Sequence, residues 1–114
     1  MTRGAGDNGC DCYQVSVTAP SVEEAQSLGR MVVDGRLAAC AQVSGPVTST
    51  YRWECDVTSA TEWLCTMKTT SYRLEALMAA VRDAHSYAVP EIIAIPVSAG
   101  DPDYLTWIDR ETRA

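Results

Sequence analysis

The sequence predicts an α+β fold of four strands and two helices, in the order strand, helix, strand, strand, helix, strand, with an extra C-terminal helix. Three observations predict it: an alternating β-branched segment near the N-terminus, two stretches with apolar residues at helical spacing, and a long strand-rich middle. This order is typical of the split βαβ, or ferredoxin-like, sandwich, whose helices cover one face of a mostly antiparallel sheet. The 114 residues suit one domain.

The folded domain is predicted to begin with a strand at residue 13. Residues 1–12 are rich in glycine and polar side chains, so we expect a disordered tail there, followed by the domain over residues 13–114. Residues 13–19 alternate with β-branched side chains, as a strand does, and Pro20 ends them.

The first helix is predicted to start at a capping box. Ser21 would accept a hydrogen bond from the first turn, and the side chain of Glu24 would reach back to the chain before it. We expect Gly35 to end the helix in the left-handed conformation. Between these ends, apolar residues recur at helical spacing: Val22, Ala25, Leu28 and Val32.

Two long strands are predicted in the middle of the chain, over about residues 39–54 and 57–70, with a polar turn at Cys55-Asp56. Gly45-Pro46 lies inside the first, where we expect a bulge or bend. Alternation places three residues on each face of the second strand: Trp63, Cys65 and Met67 on one, and Leu64, Thr66 and Lys68 on the other.

The C-terminal half predicts a helix, a strand and a last helix. The second helix spans about residues 71–85. A nearly all-apolar strand, typical of one covered on both faces, follows over 91–97. Asp101-Pro102 fits the start of the last helix. The residues expected to face inward are Leu74, Leu77, Met78 and Val81 in the second helix, and Tyr104, Leu105 and Ile108 in the last.

Charge and apolar content disfavour two classes of partner. The net charge of −6, without a cluster of lysine or arginine, disfavours nucleic acid. No apolar run approaches the roughly 20 residues that span a bilayer, and the N-terminus lacks the apolar core of a signal peptide, so we expect a cytoplasmic location. Since the helices cover one face of the sheet, the other face should meet another subunit.

The five cysteines do not predict a disulfide framework, because their number is odd and their spacing irregular. Cys40 and Cys65 lie in apolar strand-like stretches and are expected in the core. Cys10 and Cys12 form a close pair that a soft metal could bind, or they are two exposed thiols of the tail.

His85, the chain's one histidine, has two interpretations. Its imidazole could bind copper or zinc, or it could close the second helix by bonding the free carbonyls there. Glu91 also has two: a structural ion pair with Lys68, or a polar anchor in a ligand cleft walled by Tyr87 and Trp53. No cysteine is placed beside His85 as a nucleophile would be, so an enzymatic reaction is the least favoured class.

An ordered series of short motifs resembles the CutA family of divalent-cation tolerance proteins over about residues 13–112. The motifs are Leu37-Ala-Ala-Cys40, Tyr51-Arg-Trp-Glu54, Lys68-Thr69, His85-Ser-Tyr87, Val89-Pro-Glu91, Gly100 and Asp103-Tyr-Leu-Thr-Trp107. The resemblance implies a ferredoxin-like homotrimer with its sheets around a threefold axis and a ligand cleft between subunits. It also implies an association with copper or another divalent cation, and no well-established reaction.

Four positions depart from the family pattern. Where some members carry a cysteine and a second histidine proposed as copper ligands, this chain has Val17 and Ala84; where proline and glycine are usual, it has Ser86 and Cys55. Two functional hypotheses follow. One is a binding or signalling module in divalent-metal response with His85 as ligand. The other is a metal-independent sensor or scaffold that binds a small molecule between subunits.

Overall fold

A computed structural model describes residues 11–113 of the chain. The elements in this range confirm the predicted order: β1 (Cys12–Ala19), α1 (Val22–Asp34), β2 (Cys40–Trp53), β3 (Asp56–Thr70), α2 (Ser71–Ala84), β4 (Ile92–Pro96) and α3 (Pro102–Glu111). Most of the predicted disordered tail lies outside the described residues, and β1 already includes Cys12. No helix within residues 11–113 has the length and apolar character needed to cross a membrane.

The four strands form one antiparallel sheet in the order β2-β3-β1-β4. The crossover β1–α1–β2 passes over β3, and the crossover β3–α2–β4 passes over β1, so the two βαβ units interlock. This topology is the ferredoxin-like one. The fold class predicted from the sequence is therefore confirmed.

The main core lies between the helices and one face of the sheet. In β1, Val15 and Val17 are fully buried and stand opposite Met67 and Cys65 of β3. The helices contribute the remaining buried apolar side chains of this cluster, chiefly Ala25, Leu28, Val32, Leu77 and Val81. These are the positions at which the predicted apolar stripes face inward. Tyr104 was expected to do so as well, but it is 41% exposed.

The two ends of α1 differ from the sequence prediction. Ser21 does cap the helix, because its Oγ accepts a hydrogen bond from Glu24 N at 3.1 Å. The Glu24 carboxylate does not reach back, however; it accepts hydrogen bonds from Ser86 instead. At the other end, Gly35 has φ −84, and the left-handed residue is its neighbour Arg36, with φ 59.

The hairpin of β2 and β3 extends past the end of β1. The pairing of β1 with β3 stops at Ala19 and Trp63, whereas β2 and β3 stay paired as far as Trp53 and Asp56. Residues 47–62 therefore form a two-stranded ribbon, called the arm below. The predicted bulge is confirmed at its base, where the register shifts between Ser44 and Val47.

The tip of the arm is a two-residue turn. Glu54 and Cys55 have φ 49 and 74, so both central residues are left-handed, as a type I′ hairpin turn requires. Cys55 thus occupies a conformation that glycine adopts without steric cost. The turn also leaves the Trp53 side chain 58% exposed.

The opposite face of the sheet, called the open face below, is covered only at one end. It consists of Gln14 and Ser16 of β1, Gln42 of β2, Leu64, Thr66 and Lys68 of β3, and Ile93 and Ile95 of β4. The buried end of the same face is closed by α3, whose Leu105 and Ile108 pack on Cys12. β4 was expected to be covered on both faces, yet in one subunit it is an edge strand with Ile93 and Ile95 more than half exposed.

Candidate functional site

The imidazole of His85 connects the end of α2 to the end of β1. Its backbone N–H donates to Val81 O at 2.9 Å, so the residue does cap α2. Its side chain is fully buried, and Nε2 lies 2.6 Å from the carbonyl oxygen of Thr18 in β1. The expectation that the imidazole bonds the free carbonyls of α2 is therefore wrong: its partner belongs to another element.

The backbone around His85 fixes which ring nitrogen carries the hydrogen. Tyr87 N–H donates to Nδ1 at 3.0 Å, so Nδ1 presents its lone pair. The hydrogen then resides on Nε2 and is donated to Thr18 O. Both nitrogens of the neutral ring are thus bonded, and the carboxylate Oε2 of Glu24 lies 3.4 Å from Nδ1.

Glu24 holds the loop after α2 against α1. Its Oε2 accepts hydrogen bonds from both Ser86 N and Ser86 Oγ, each at 3.0 Å. A proline at position 86 has neither donor, since its ring nitrogen carries no hydrogen. The serine that departs from the family pattern therefore supplies two bonds that the usual residue cannot make.

Tyr87 fastens the same loop to the base of the arm. Its hydroxyl donates to Glu62 Oε2 at 2.9 Å, and its ring lies 4.9 Å from the His85 ring. Glu62 is only 8% exposed. The pKa of Tyr87 is raised to about 12, mainly by burial and to a smaller extent by the hydrogen bond to Glu62. At neutral pH the phenol is therefore a donor to a buried carboxylate.

The structure separates Lys68 from Glu91. Lys68 Nζ donates to Gln42 Oε1 at 2.8 Å. The register places Lys68 opposite Gln14, and Gln14 opposite Ile95, four residues from Glu91. At about 3.3 Å per residue, that is roughly 13 Å along the strand. The predicted ion pair is therefore wrong within one subunit.

Trp53 is remote from the loop that carries His85 and Tyr87. It is at the tip of the arm, whereas Glu62, the partner of Tyr87, pairs with Val47 at the base. Trp53 is six positions along the strand from Val47, which corresponds to roughly 20 Å. One subunit thus brings Tyr87 and His85 together and leaves Trp53 and Lys68 elsewhere, so a cleft lined by all the predicted residues requires more than one copy.

Sequence reasoning missed the partners of His85 and Tyr87. Glu24 was assigned to the helix cap, and Thr18 contributes only a backbone oxygen, for which no side-chain pattern exists. Glu62 had a usable signal, because an acid flanked by the apolar stretch Trp63-Leu64-Cys65 needs a hydrogen-bond partner once it is buried.

The described residues contain few potential metal ligands in one place. Within residues 11–113, no three His, Cys, Asp or Glu side chains are close enough to hold one ion. Cys10 lies outside the described residues. Cys12 is 3% exposed in the core beneath α3, so the expectation of an exposed thiol is wrong for it. His85 Nδ1 and Glu24 Oε2 are the pair of donor atoms that the loop brings together.

Cys65 is a core residue, as predicted. It is fully buried, and burial raises its pKa to about 11. Its thiol therefore stays protonated near neutral pH and is a poor nucleophile.

Comparison with known proteins decides the family. The family model described as "CutA1 divalent ion tolerance protein" matches residues 13–111. The chain belongs to the CutA1 divalent ion tolerance family. The resemblance carried by the short motifs is thus confirmed over nearly the whole domain.

Individual CutA proteins match over most of this chain. The divalent-cation tolerance protein CutA of Thermus thermophilus is 39% identical over 98 residues, which cover 86% of this chain and 95% of that protein. The mouse protein CutA is 40% identical, but the match spans 55% of its length. The crystal structure of CutA from Xylella fastidiosa has a TM-score of 0.88 at 36% identity, covering 90% of this chain and 99% of that one.

Proposed function

We propose that this chain is a homotrimeric, cytoplasmic binding module that responds to divalent metal ions, copper among them, and makes or breaks no covalent bond. The orientation of His85 carries the proposal. Nε2 is held by the Thr18 carbonyl at 2.6 Å, which directs Nδ1 toward Glu24 Oε2 at 3.4 Å. A metal-binding imidazole commonly donates its other ring N–H to a backbone carbonyl in this way.

The donor atoms of a single subunit fit a metal ion only in part. His85 and Glu24 supply two donors, fewer than the four ligands that zinc usually takes. The lone pair of Nδ1 also accepts Tyr87 N–H, and one lone pair cannot serve both the hydrogen bond and a metal. A complete site at His85 therefore requires further ligands from water or neighbouring subunits. A metal ion would also have to displace the Tyr87 N–H from Nδ1.

A homotrimer is supported by surfaces that one copy leaves uncovered. Within the described part of the chain, β2 and β4 form the two unpaired edges of the sheet, and β4 exposes Ile93 and Ile95. The arm is a two-stranded ribbon, which is marginally stable in water by itself. It exposes Tyr51, Trp53 and Val57 by 44–64%. Association would cover these edges and side chains together.

A second candidate is a metal-independent sensor or scaffold with a small-molecule ligand in the cleft between subunits. The hydrogen bond that occupies Nδ1 favours it, as do Val17 and Ala84, which cannot bind metal. In this proposal Tyr87 and Glu91 line the cleft from one copy, and Trp53 and Lys68 reach it from the two other copies, since Trp53 and Lys68 lie at opposite ends of the hairpin and away from Tyr87 in the same subunit.

Calorimetric titration with copper(I), copper(II) and zinc separates the two candidates. Metal response predicts saturable binding that falls at least about 10-fold in His85→Ala and in Glu24→Gln. The matched control is Glu23→Gln, which removes the neighbouring exposed carboxylate of the same first turn. Absence of binding in the wild-type protein, or equal binding in His85→Ala, would overturn the metal proposal and leave the sensor.

A further inference from the structure

Lys68 is the charged member of the open face. Its ammonium donates to the neutral amide of Gln42 at 2.8 Å, which leaves two of its three N–H donors and its positive charge without a carboxylate partner among residues 11–113. The residues around it on this face are uncharged: Gln14, Ser16, Gln42, Leu64, Thr66, Ile93 and Ile95. In a free subunit water can solvate this charge, because Lys68 is only half-buried.

Glu91 carries the opposite charge on the same side of the sheet. It is exposed and directly precedes β4, so strand alternation places it on the side of Ile93 and Ile95. It is separated from Lys68 by two inter-strand spacings and by roughly 13 Å along the strand. The two charges therefore cannot meet within one subunit.

If another copy covers the open face, Lys68 needs a carboxylate partner that it does not need in water. Ile93 and Ile95 are 51% and 54% exposed, and a second copy that buried them would also withdraw Lys68 from water. A buried ammonium is costly unless a carboxylate pairs with it. Each copy offers one such cation and one such anion at separate places, so head-to-tail association of identical copies can satisfy both.

We propose that Lys68 of one copy forms an ion pair with Glu91 of the next copy, and that this pair fixes the relative position of the subunits. This pair rests on the homotrimer of the proposed function. It adds that Lys68 and Glu91, two of the predicted cleft residues, come from different subunits. Three equivalent pairs would close the ring.

Charge reversal tests the pair. Lys68→Glu and Glu91→Lys each place like charges together, and we expect each to raise the concentration at which the trimer dissociates by at least about 10-fold. The double variant Lys68→Glu/Glu91→Lys restores opposite charges and should return to within about 3-fold of the wild type. Sedimentation velocity across a dilution series measures all four proteins.

Matched controls separate a specific pair from a change of net charge. Arg82→Glu and Glu75→Lys make the same charge changes at exposed positions of α2 and should leave the dissociation midpoint within about 2-fold. A wild-type protein that stays monomeric would overturn the homotrimer itself. A wild-type trimer with an unrescued double variant, or with unaffected single variants, would overturn only the Lys68–Glu91 pair.

Cysteine cross-linking provides a second test that does not depend on the charge variants folding. A disulfide needs Cα atoms within about 7 Å, so positions 68 and 91 of one subunit cannot be bridged. Oxidised Lys68→Cys/Glu91→Cys protein should therefore give covalent dimers and trimers on a non-reducing gel, beyond the background of each single variant. Monomer alone after oxidation would contradict the proposed pair.

Discussion

At the scale of single residues, polar side chains around the end of β1 tie the loop after α2 to three other parts of the chain: β1, α1 and the arm. His85 bonds β1, Glu24 bonds the loop at Ser86, and Tyr87 bonds Glu62 in the arm. Each bond joins residues more than 20 positions apart, so each restricts a different part of the chain. Glu62 is the most demanding partner, because it is only 8% exposed and accepts its hydrogen bond from the Tyr87 hydroxyl.

Tyr87→Phe should reveal this dependence through pH. Removing the hydroxyl leaves a buried carboxylate without its donor, which should cost about 1–3 kcal/mol in the free energy of unfolding at pH 7. The folded-state pKa of about 12 lies above the ordinary value near 10, so the stabilisation by Tyr87 is complete below pH 10 and is lost as the pH rises toward 12. The difference between wild type and variant in urea unfolding should therefore shrink over that range.

The control for Tyr87 is Tyr51→Phe, which removes an exposed phenol of the arm. The comparison is made at pH 7, because a negative charge at Tyr51 would itself contribute to raising the pKa of Tyr87. Its unfolding free energy should stay within about 0.5 kcal/mol of the wild type at pH 7. A Tyr87 variant as stable as this control, or a difference that grows between pH 10 and 12, would show that the Glu62 bond does not stabilise the fold.

At the scale of elements, periodicity predicted the strands and helices well, and it failed where tertiary contacts redirect a side chain. Leu77, Val81, Leu105 and Ile108 were placed in the core correctly because burial of apolar surface follows the helix period. The Glu24 side chain was misassigned because Ser86, which is distant in sequence, competes for it. The left-handed residue after α1 is Arg36 and not, as was predicted, Gly35. The Arg36 guanidinium also donates a hydrogen bond to the carbonyl oxygen of Glu111 at the end of α3.

The absence of a side chain at Gly29 lets α1 pack close to the sheet. A Cβ at this buried position would lie 3.1 Å from Ala41 Cβ and 3.4 Å from Cys65 Sγ. Gly29→Ala gains helix propensity of up to about 1 kcal/mol, but we expect the overlap with Ala41 to outweigh it by about 1–2 kcal/mol. Thermal unfolding of Gly29→Ala should therefore occur at a lower temperature than that of the wild type.

The double variant Gly29→Ala/Ala41→Gly checks the cause. Ala41→Gly removes the methyl group that a Cβ at position 29 would meet, so the two changes together should be less destabilising than the sum of the single changes. Strict additivity would indicate that the helix–sheet distance at this point is not set by Gly29 and Ala41.

At the scale of the whole molecule, the chain folds one compact sandwich and projects an arm that the sandwich does not cover. The chain measures 48 × 26 × 21 Å along its principal axes, and the arm extends the β2–β3 hairpin beyond β1. The sequence predicted both long strands but not which of their residues lie past the end of β1, because that depends on the register of a third strand. The register also places Trp53 and Lys68 at different ends of the hairpin, so the predicted intersubunit cleft would take these two side chains from different copies.

The open face gives a prediction for the assembled molecule. Ile95 is 54% exposed at the edge of this face, and association of copies would bury it. Ile95→Lys should shift the protein toward monomer and lower its thermal stability most strongly at low protein concentration, because association stabilises only the assembled state. Ala76→Lys, at an exposed position of α2, introduces the same side chain away from this face and should do neither. Light scattering coupled to gel filtration measures the mass, and an Ile95→Lys protein with the same mass and the same concentration-independent melting temperature as the Ala76 variant would show that association does not use the open face.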